Sequence, residues 1–267
     1  MRTVVEVVAR RGPAGRTVLP VVRASGQLAV RRTGEYRIHL IAKAFGPLGG
    51  DAVIIRLQVE AGARLEVCSV AAAVCLPSRD PAPSRAELHA EVAAGGRLDV
   101  LLEPTVVAAG AEHRARTVIA LAADARAHVT ERVVLGRHAE APGRWMGTTR
   151  VDCAGRPLLH TCVDLGPGSP MWRAPTMPRA YATDLTLATL PPEMTADATT
   201  PESKSVAPTP ATSARSRTGP SSVLLPLAGG WLSTAWGHRL EQVLAAITDL
   251  TRVDHRNCAG FPTQKPE

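Results

Sequence analysis

Aromatic side chains are scarce, with four Trp, two Tyr and two Phe in 267 residues. So few rings argue against a stacking platform for single-stranded nucleic acid. Lysine is almost missing as well: Lys43, Lys204 and Lys265 are the whole set among 31 cationic residues. Cysteine occurs five times, an odd number, and never as Cys-x-x-Cys. Neither a disulfide framework nor a zinc ribbon is indicated, and free thiols fit a reducing compartment. No apolar run approaches the roughly 20 residues that a bilayer span needs. Glu6 and the Arg10, Arg11, Arg16 cluster interrupt the segment where a signal peptide would carry its apolar core. The expectation is a soluble, cytoplasmic protein without a membrane partner.

Catalytic signatures are missing too. There is no Gly-x-Gly-x-x-Gly after a strand, no His-Glu-x-x-His and no Gly-x-Ser-x-Gly elbow. The stretch Gly12–Thr17 has neither the spacing nor the lysine of a phosphate loop. The chain is therefore expected not to be an enzyme.

What is present is ample apolar chain: 45% hydrophobic against 21% charged residues, enough for one large domain or two small ones. The net charge of +7 is local. Residues 1–50 hold nine basic and two acidic side chains, and the remainder holds 22 of each. A nucleic-acid-binding module led by this N-terminal arginine cluster is one alternative. The arginines alternate with apolar residues in strand fashion, however, which fits a solvated sheet face or an acidic protein partner.

The hydropathy pattern is strongly β. Val53–Val59, Arg85–Val92, Arg126–Val133 and Tyr181–Leu190 are β-branched or alternating runs. A repeat organises the first half: Val59-Glu60-Ala61-Gly62-Ala63-Arg64-Leu65-Glu66-Val67 recurs as Val92-Ala93-Ala94-Gly95-Gly96-Arg97-Leu98-Asp99-Val100. A fainter copy runs from Leu121 to Val129. Each copy reads as strand, tight turn, strand. Repetition of that unit predicts a mainly β fold of stacked strands, β-helix-like or layered. Between Pro191 and Ser222, 18 of 32 residues are Pro, Ser or Thr, the composition of a linker or disordered insertion. Leu240, Val243, Leu244, Ile247 and Leu250 then recur at helical spacing and predict one short C-terminal amphipathic helix. The expected organisation is a β scaffold over 1–190, an insertion over 191–222, and a final strand and helix over 223–267 that pack back on the scaffold.

Few residues advertise chemistry. The eight histidines are scattered. A metal-dependent hydrolase using His128, Glu131, Asp152 and His160 is a second alternative, although no clustered ligand motif supports it. Cys153 and Cys162 flank a turn and would be able to meet across a hairpin. The most distinctive segment is Phe45-Gly46-Pro47-Leu48-Gly49-Gly50-Asp51, which feeds directly into a strand. Asp51 is there either a turn cap or, through its charge, a transient metal relay.

The Gly49-Gly50-Asp51 turn, the acid-Ala-Gly-Ala hairpin after it, and Ala94–Leu98 followed by Glu103-Pro104-Thr105-Val106 together resemble the urease accessory protein D family, UreD or UreH. Gly136-Arg137 ahead of Gly143, the Ala-Gly turn within Val223–Gly230 and the closing helix extend the resemblance in the same order. The resemblance implies a non-catalytic urease maturation chaperone. Such proteins bind apo-urease subunits together with the F and G accessory proteins and assist nickel incorporation. On that reading no cofactor is tightly bound, nickel is handled transiently, and nucleic acid is not a partner. Gly49, Gly50, Asp51, Ser69, Glu103, Glu131, Gly136 and Arg137 are the partner-binding or ion-relay candidates, with no catalytic residue and no metal ligand assigned. Asp51→Asn is expected to leave fold and partner binding intact while lowering urease activation.

Overall fold

A computed structural model describes residues 1–79, 82–173, 177–188, 212–214 and 219–257. The chain winds between two sheets. Strands β1 (Arg2–Arg11) and β2 (Thr17–Ala24) pair antiparallel in the front sheet; β3 (Leu28–Arg32) and β4 (Arg37–Ala42) do the same in the back sheet. The coils follow. Strand β5 (Ala52–Val59) lies in front and β6 (Arg64–Ser69) behind, continued after a break by β7 (Ala73–Cys75). The next coil is β8 (Ser84–Val92) in front, with β9 (Arg97–Leu101) and β10 (Thr105–Val107) behind. The third is β11 (Glu112–Leu121) in front and an unbroken β12 (Arg126–Leu135) behind. Strands β13 (Arg144–Cys153) and β14 (Arg156–Leu165) finish the front sheet. Strands β15 (Ala180–Leu187), β16 (Thr212–Ala214), β17 (Ser221–Leu227) and β18 (Gly230–Gly237) finish the back one, and helix α1 (Leu240–Asn257) ends the described chain.

Successive coils pair in parallel: β1, β5, β8, β11 and β13 in front, and β4, β6, β9 and β12 behind. This is a β-solenoid-like, layered architecture. The repeat is its winding rule, because Val59 pairs with Val92, which pairs with Leu121. One expectation needs correction. The repeated strand–turn–strand units are not hairpins, since β5 pairs with β1 and β8 rather than with β6. Each turn is a corner that carries the chain from one sheet to the other. Gly62 and Gly95 take φ of +63° there, which a side chain would resist. The Cys153–Cys162 meeting also fails. Cys153 pairs with Arg156, whereas Cys162 pairs with Thr148, because the hairpin turns immediately after Cys153 and carries a bulge at Val151/Asp152.

Alternation along the strands buries Val5, Leu57, Leu65, Leu98, Ile119 and their neighbours in one core near the corners. A second core around Trp145, Leu135, Val107 and Tyr181 lies near the opposite end, where the chain returns from back to front. Trp145 and Tyr181 have ring centroids 5.3 Å apart there. Helix α1 lays Val243 and Ile247 on Ala180, Ala182 and Ala235, on the outer face of the back sheet. Each such side chain contributes roughly 2 kcal/mol on burial. Small residues on the sheet let the helix approach. Of the predicted insertion, residues 191–211 and 215–218 lie outside the described residues. Thr212–Ala214 pairs with β17, and Ser221 and Ser222 already belong to that strand.

Candidate functional site

Strand alternation dictates which positions look inward, and between the two cores those positions turn polar. On β12, Glu131 sits between buried Val129 and Val133. Its register partner on β15 is Thr183, which pairs in turn with Thr234 on β18. Across the sandwich Thr117 of β11 pairs with Thr149 of β13, and Thr149 with Thr161 of β14. Each threonine alternates with core residues of its own strand, as Thr161 does between Leu159 and Val163. Glu131 and these five threonines are all half-buried, although the inward positions beside them are mostly buried. These positions therefore keep some accessible surface where their neighbours keep almost none. A carboxylate and five hydroxyls form this belt.

The electrostatics follow from that placement. Burial pushes the Glu131 carboxyl up to about 7. The neighbouring Tyr181 hydroxyl is raised, first by burial and then by the charge of Glu131, against a hydrogen bond with Thr234. A side cleft of about 480 Å³ is lined by Val163, Leu165, Pro178, Tyr181, Thr234 and Trp236. Thr234 belongs both to that cleft and to the belt.

Two more sequence-predicted residues lie in the breaks of the neighbouring back-sheet coils. Ser69 pairs with Leu40 at the end of β6, at the break before β7. Glu103 lies in the matching break between β9 and β10, and its N–H donates to Ser69 Oγ at 2.9 Å. Thr130 pairs with Leu101, so Glu131 stands beside that second break. The structure thus gathers Ser69, Glu103 and Glu131, with Glu103 exposed on the outside and Glu131 within.

The other candidates lie elsewhere. Asp51 is buried at the start of β5 and caps its turn, accepting the Leu48 N–H at 2.9 Å. It also accepts hydrogen bonds from the Gln27 side-chain amide and the Met1 amino group. Burial by itself would raise its carboxyl; these donors outweigh burial and hold it below the usual range. Gly49 is needed for space: an added Cβ would lie 2.6 Å from both Ala82 O and Ser78 Oγ. Gly50 is needed for conformation, at φ +85°. Gly136 and Arg137 open the return loop after β12. Arg137 is exposed and forks onto Glu140 at 2.9 and 2.8 Å, which holds the Glu140 carboxyl down at about 2.

The hydrolase alternative is corrected by the faces of the strands. His128 is on the outer face of the back sheet, 3.1 Å from Asp184, whereas Glu131 looks inward. Asp152 and His160 are on the outer face of the front sheet, Asp152 paired with Arg150 at 2.9 Å. These groups share no site. Among the described residues no three His, Cys, Asp or Glu side chains stand close enough to hold a metal ion. No described helix is long and apolar enough to cross a membrane.

Reasoning from sequence missed the five threonines. Their signal was present as threonine at inward positions of consecutive strands, but threonine favours strands on either face.

Two sheets wound around two apolar cores, with a polar row between them, define a β-solenoid-like scaffold. The chain belongs to the UreD urease accessory protein family, whose model matches residues 2–267. It is 38% identical over 203 residues to urease accessory protein UreD of Frankia alni, covering 62% of this chain and 68% of that one. Against UreD of Streptomyces avermitilis it is 38% identical over 182 residues, 66% and 72% of the two chains. Urease accessory protein UreD 1 of Saccharopolyspora erythraea is 44% identical over 133 residues, 50% of this chain and 52% of that protein, about half its length.

Proposed function

We propose that this protein is a urease maturation scaffold that binds apo-urease together with the F and G accessory proteins and passes nickel through its polar belt. The observation that carries the reading is the row of half-buried oxygen donors between two dry cores. Hydroxyl and carboxylate oxygens are weak partners for a borderline cation, which suits transit rather than storage. Nickel is cargo here. With its carboxyl at about 7, Glu131 releases a proton as a cation arrives and takes it back as the cation leaves. Asp51, Ser69, Glu103, Gly136 and Arg137 lie at or near the return end of the coils and would shape the partner-facing surface.

Reconstituting urease activation with supplied nickel tests the reading. Glu131→Gln keeps the shape of the side chain and removes its charge, and it is expected to lower activation several-fold while co-purification with urease and the accessory proteins is unchanged. Full activation by soluble Glu131→Gln would remove the belt from the mechanism. Failure of the wild-type protein to co-purify with urease would remove the scaffold reading itself. Asp51→Asn separates the two roles of that residue, because undiminished activation assigns it to turn structure alone.

A further inference from the structure

The internal repeat carries one residue type that winding does not explain. Leu65, Leu98 and Ala127 face inward and build the core, but the residue before each is an exposed arginine on the outer face. Register sets Arg64 opposite Arg97 and Arg97 opposite Arg126. Three guanidinium groups therefore leave one surface on adjacent strands, which are ~4.8 Å apart. Like charges directly opposite destabilise a sheet. The local relief is incomplete. Arg97 forks onto Asp99 at 2.8 and 3.2 Å, and Arg64 stacks on the Tyr36 ring at 4.7 Å. Of the other acids of this corner, Glu60 is engaged by Arg10 and Glu66 by Arg37, while Asp124 stands exposed in the turn two residues before Arg126. Among the described residues no carboxylate pairs with Arg64 or Arg126. Arg11 adds a fourth exposed guanidinium beside Gly62, where a Cβ would lie 3.2 Å from its Nη1.

We propose that the Arg64–Arg97–Arg126 ladder docks an acidic polypeptide segment of a partner protein. The neighbouring arginines already show the binding mode, since Arg10, Arg37 and Arg97 each take a carboxylate at two points. A phosphate-bearing nucleic acid fits less well. Tyr36 is the ring that stacks on the ladder, and a single ring offers successive bases no stacking platform. The ladder sits on paired strands, so its arginines are spaced before the partner arrives and less freedom is lost on binding. This surface is independent of the nickel reading, because it lies on the outer face and shares no residue with the belt.

Fluorescence anisotropy of a labelled poly-glutamate peptide, titrated with the full chain, tests the proposal. Wild type is expected to bind, with affinity falling as salt rises. Arg64→Gln with Arg126→Gln is expected to weaken binding about fivefold to tenfold, as loss of two exposed charge pairs would. Arg23→Gln with Arg116→Gln removes the same charge from the front sheet and is expected to leave the affinity unchanged. The ladder variant is also expected to melt no lower than wild type, because removing neighbours of like charge relieves repulsion. Equal losses in the two double variants would reduce the effect to net charge and overturn the site. So would absence of peptide binding, or tighter binding of a single-stranded oligonucleotide or of anionic vesicles to the same arginines.

Discussion

Ser69 Oγ accepts the backbone N–H of Glu103 at 2.9 Å and lies 3.3 Å from the Ala71 carbonyl, to which it donates. One hydroxyl thus ties the break in the first coil to the break in the second. Ser69→Ala leaves the Glu103 N–H without its acceptor and is expected to cost about 1 kcal/mol, at the low end because the site is partly open to water. Urea denaturation measures it, and Ser69→Thr should recover the loss.

Glu131 makes stability depend on pH. Its folded carboxyl titrates at about 7 against an ordinary value of 4.5, so between these values the folded state holds the extra proton. Stability is therefore expected to fall as pH rises from about 4.5 to 7, and to level off above. The drop is on the order of 2 kcal/mol once partial exposure is discounted. Glu131→Gln should flatten this slope, as read from denaturation midpoints across that range.

His113 slopes the other way. Burial lowers its imidazole from 6.5 to about 4, and its Nδ1 lies 2.9 Å from Ser84 Oγ. The unfolded chain binds the extra proton between those values, so acidification through them is expected to cost on the order of 3 kcal/mol. A His113→Asn variant, less stable at neutral pH, should lose little more on acidification. An unchanged acid slope in that variant would assign the acid sensitivity to other groups.

Adjacent glycines should respond unequally to alanine. At Gly49 the new methyl meets Ala82 O at 2.6 Å, a backbone atom that cannot step aside, and a loss of about 3 kcal/mol is expected. At Gly50 the nearest atom is 4.0 Å away, so Gly50→Ala meets only the backbone cost of φ +85°, about 1–2 kcal/mol. Thermal melts of the two soluble variants would rank them.

The winding was legible in the sequence because corner, inward leucine and outward arginine recur together, from Gly62-Ala63-Arg64-Leu65 to Gly95-Gly96-Arg97-Leu98. The amphipathic period of α1 was legible for the same kind of reason. Pairing was not. A strand, a glycine turn and a strand look alike whether the two strands bond to each other or part into separate sheets, so β5 and β6 read as a hairpin. Glu131, Ser69 and Glu103 were among the candidates named with the family likeness, without a spacing that joins them. The belt of Thr117, Thr149, Thr161, Thr183 and Thr234 becomes a group only when two sheets stack five separate strands, a relation that no spacing along the chain encodes.

The parallel stack is closed at both ends by strands running the other way: β2 on β1 and β3 on β4 at one end, β14 on β13 and β15 on β12 at the other. An open terminal coil would be a template on which another molecule continues the winding, rung upon rung, into a fibre. Among the described residues no parallel rung is left to copy, so the reversal of chain direction itself opposes in-register polymerisation.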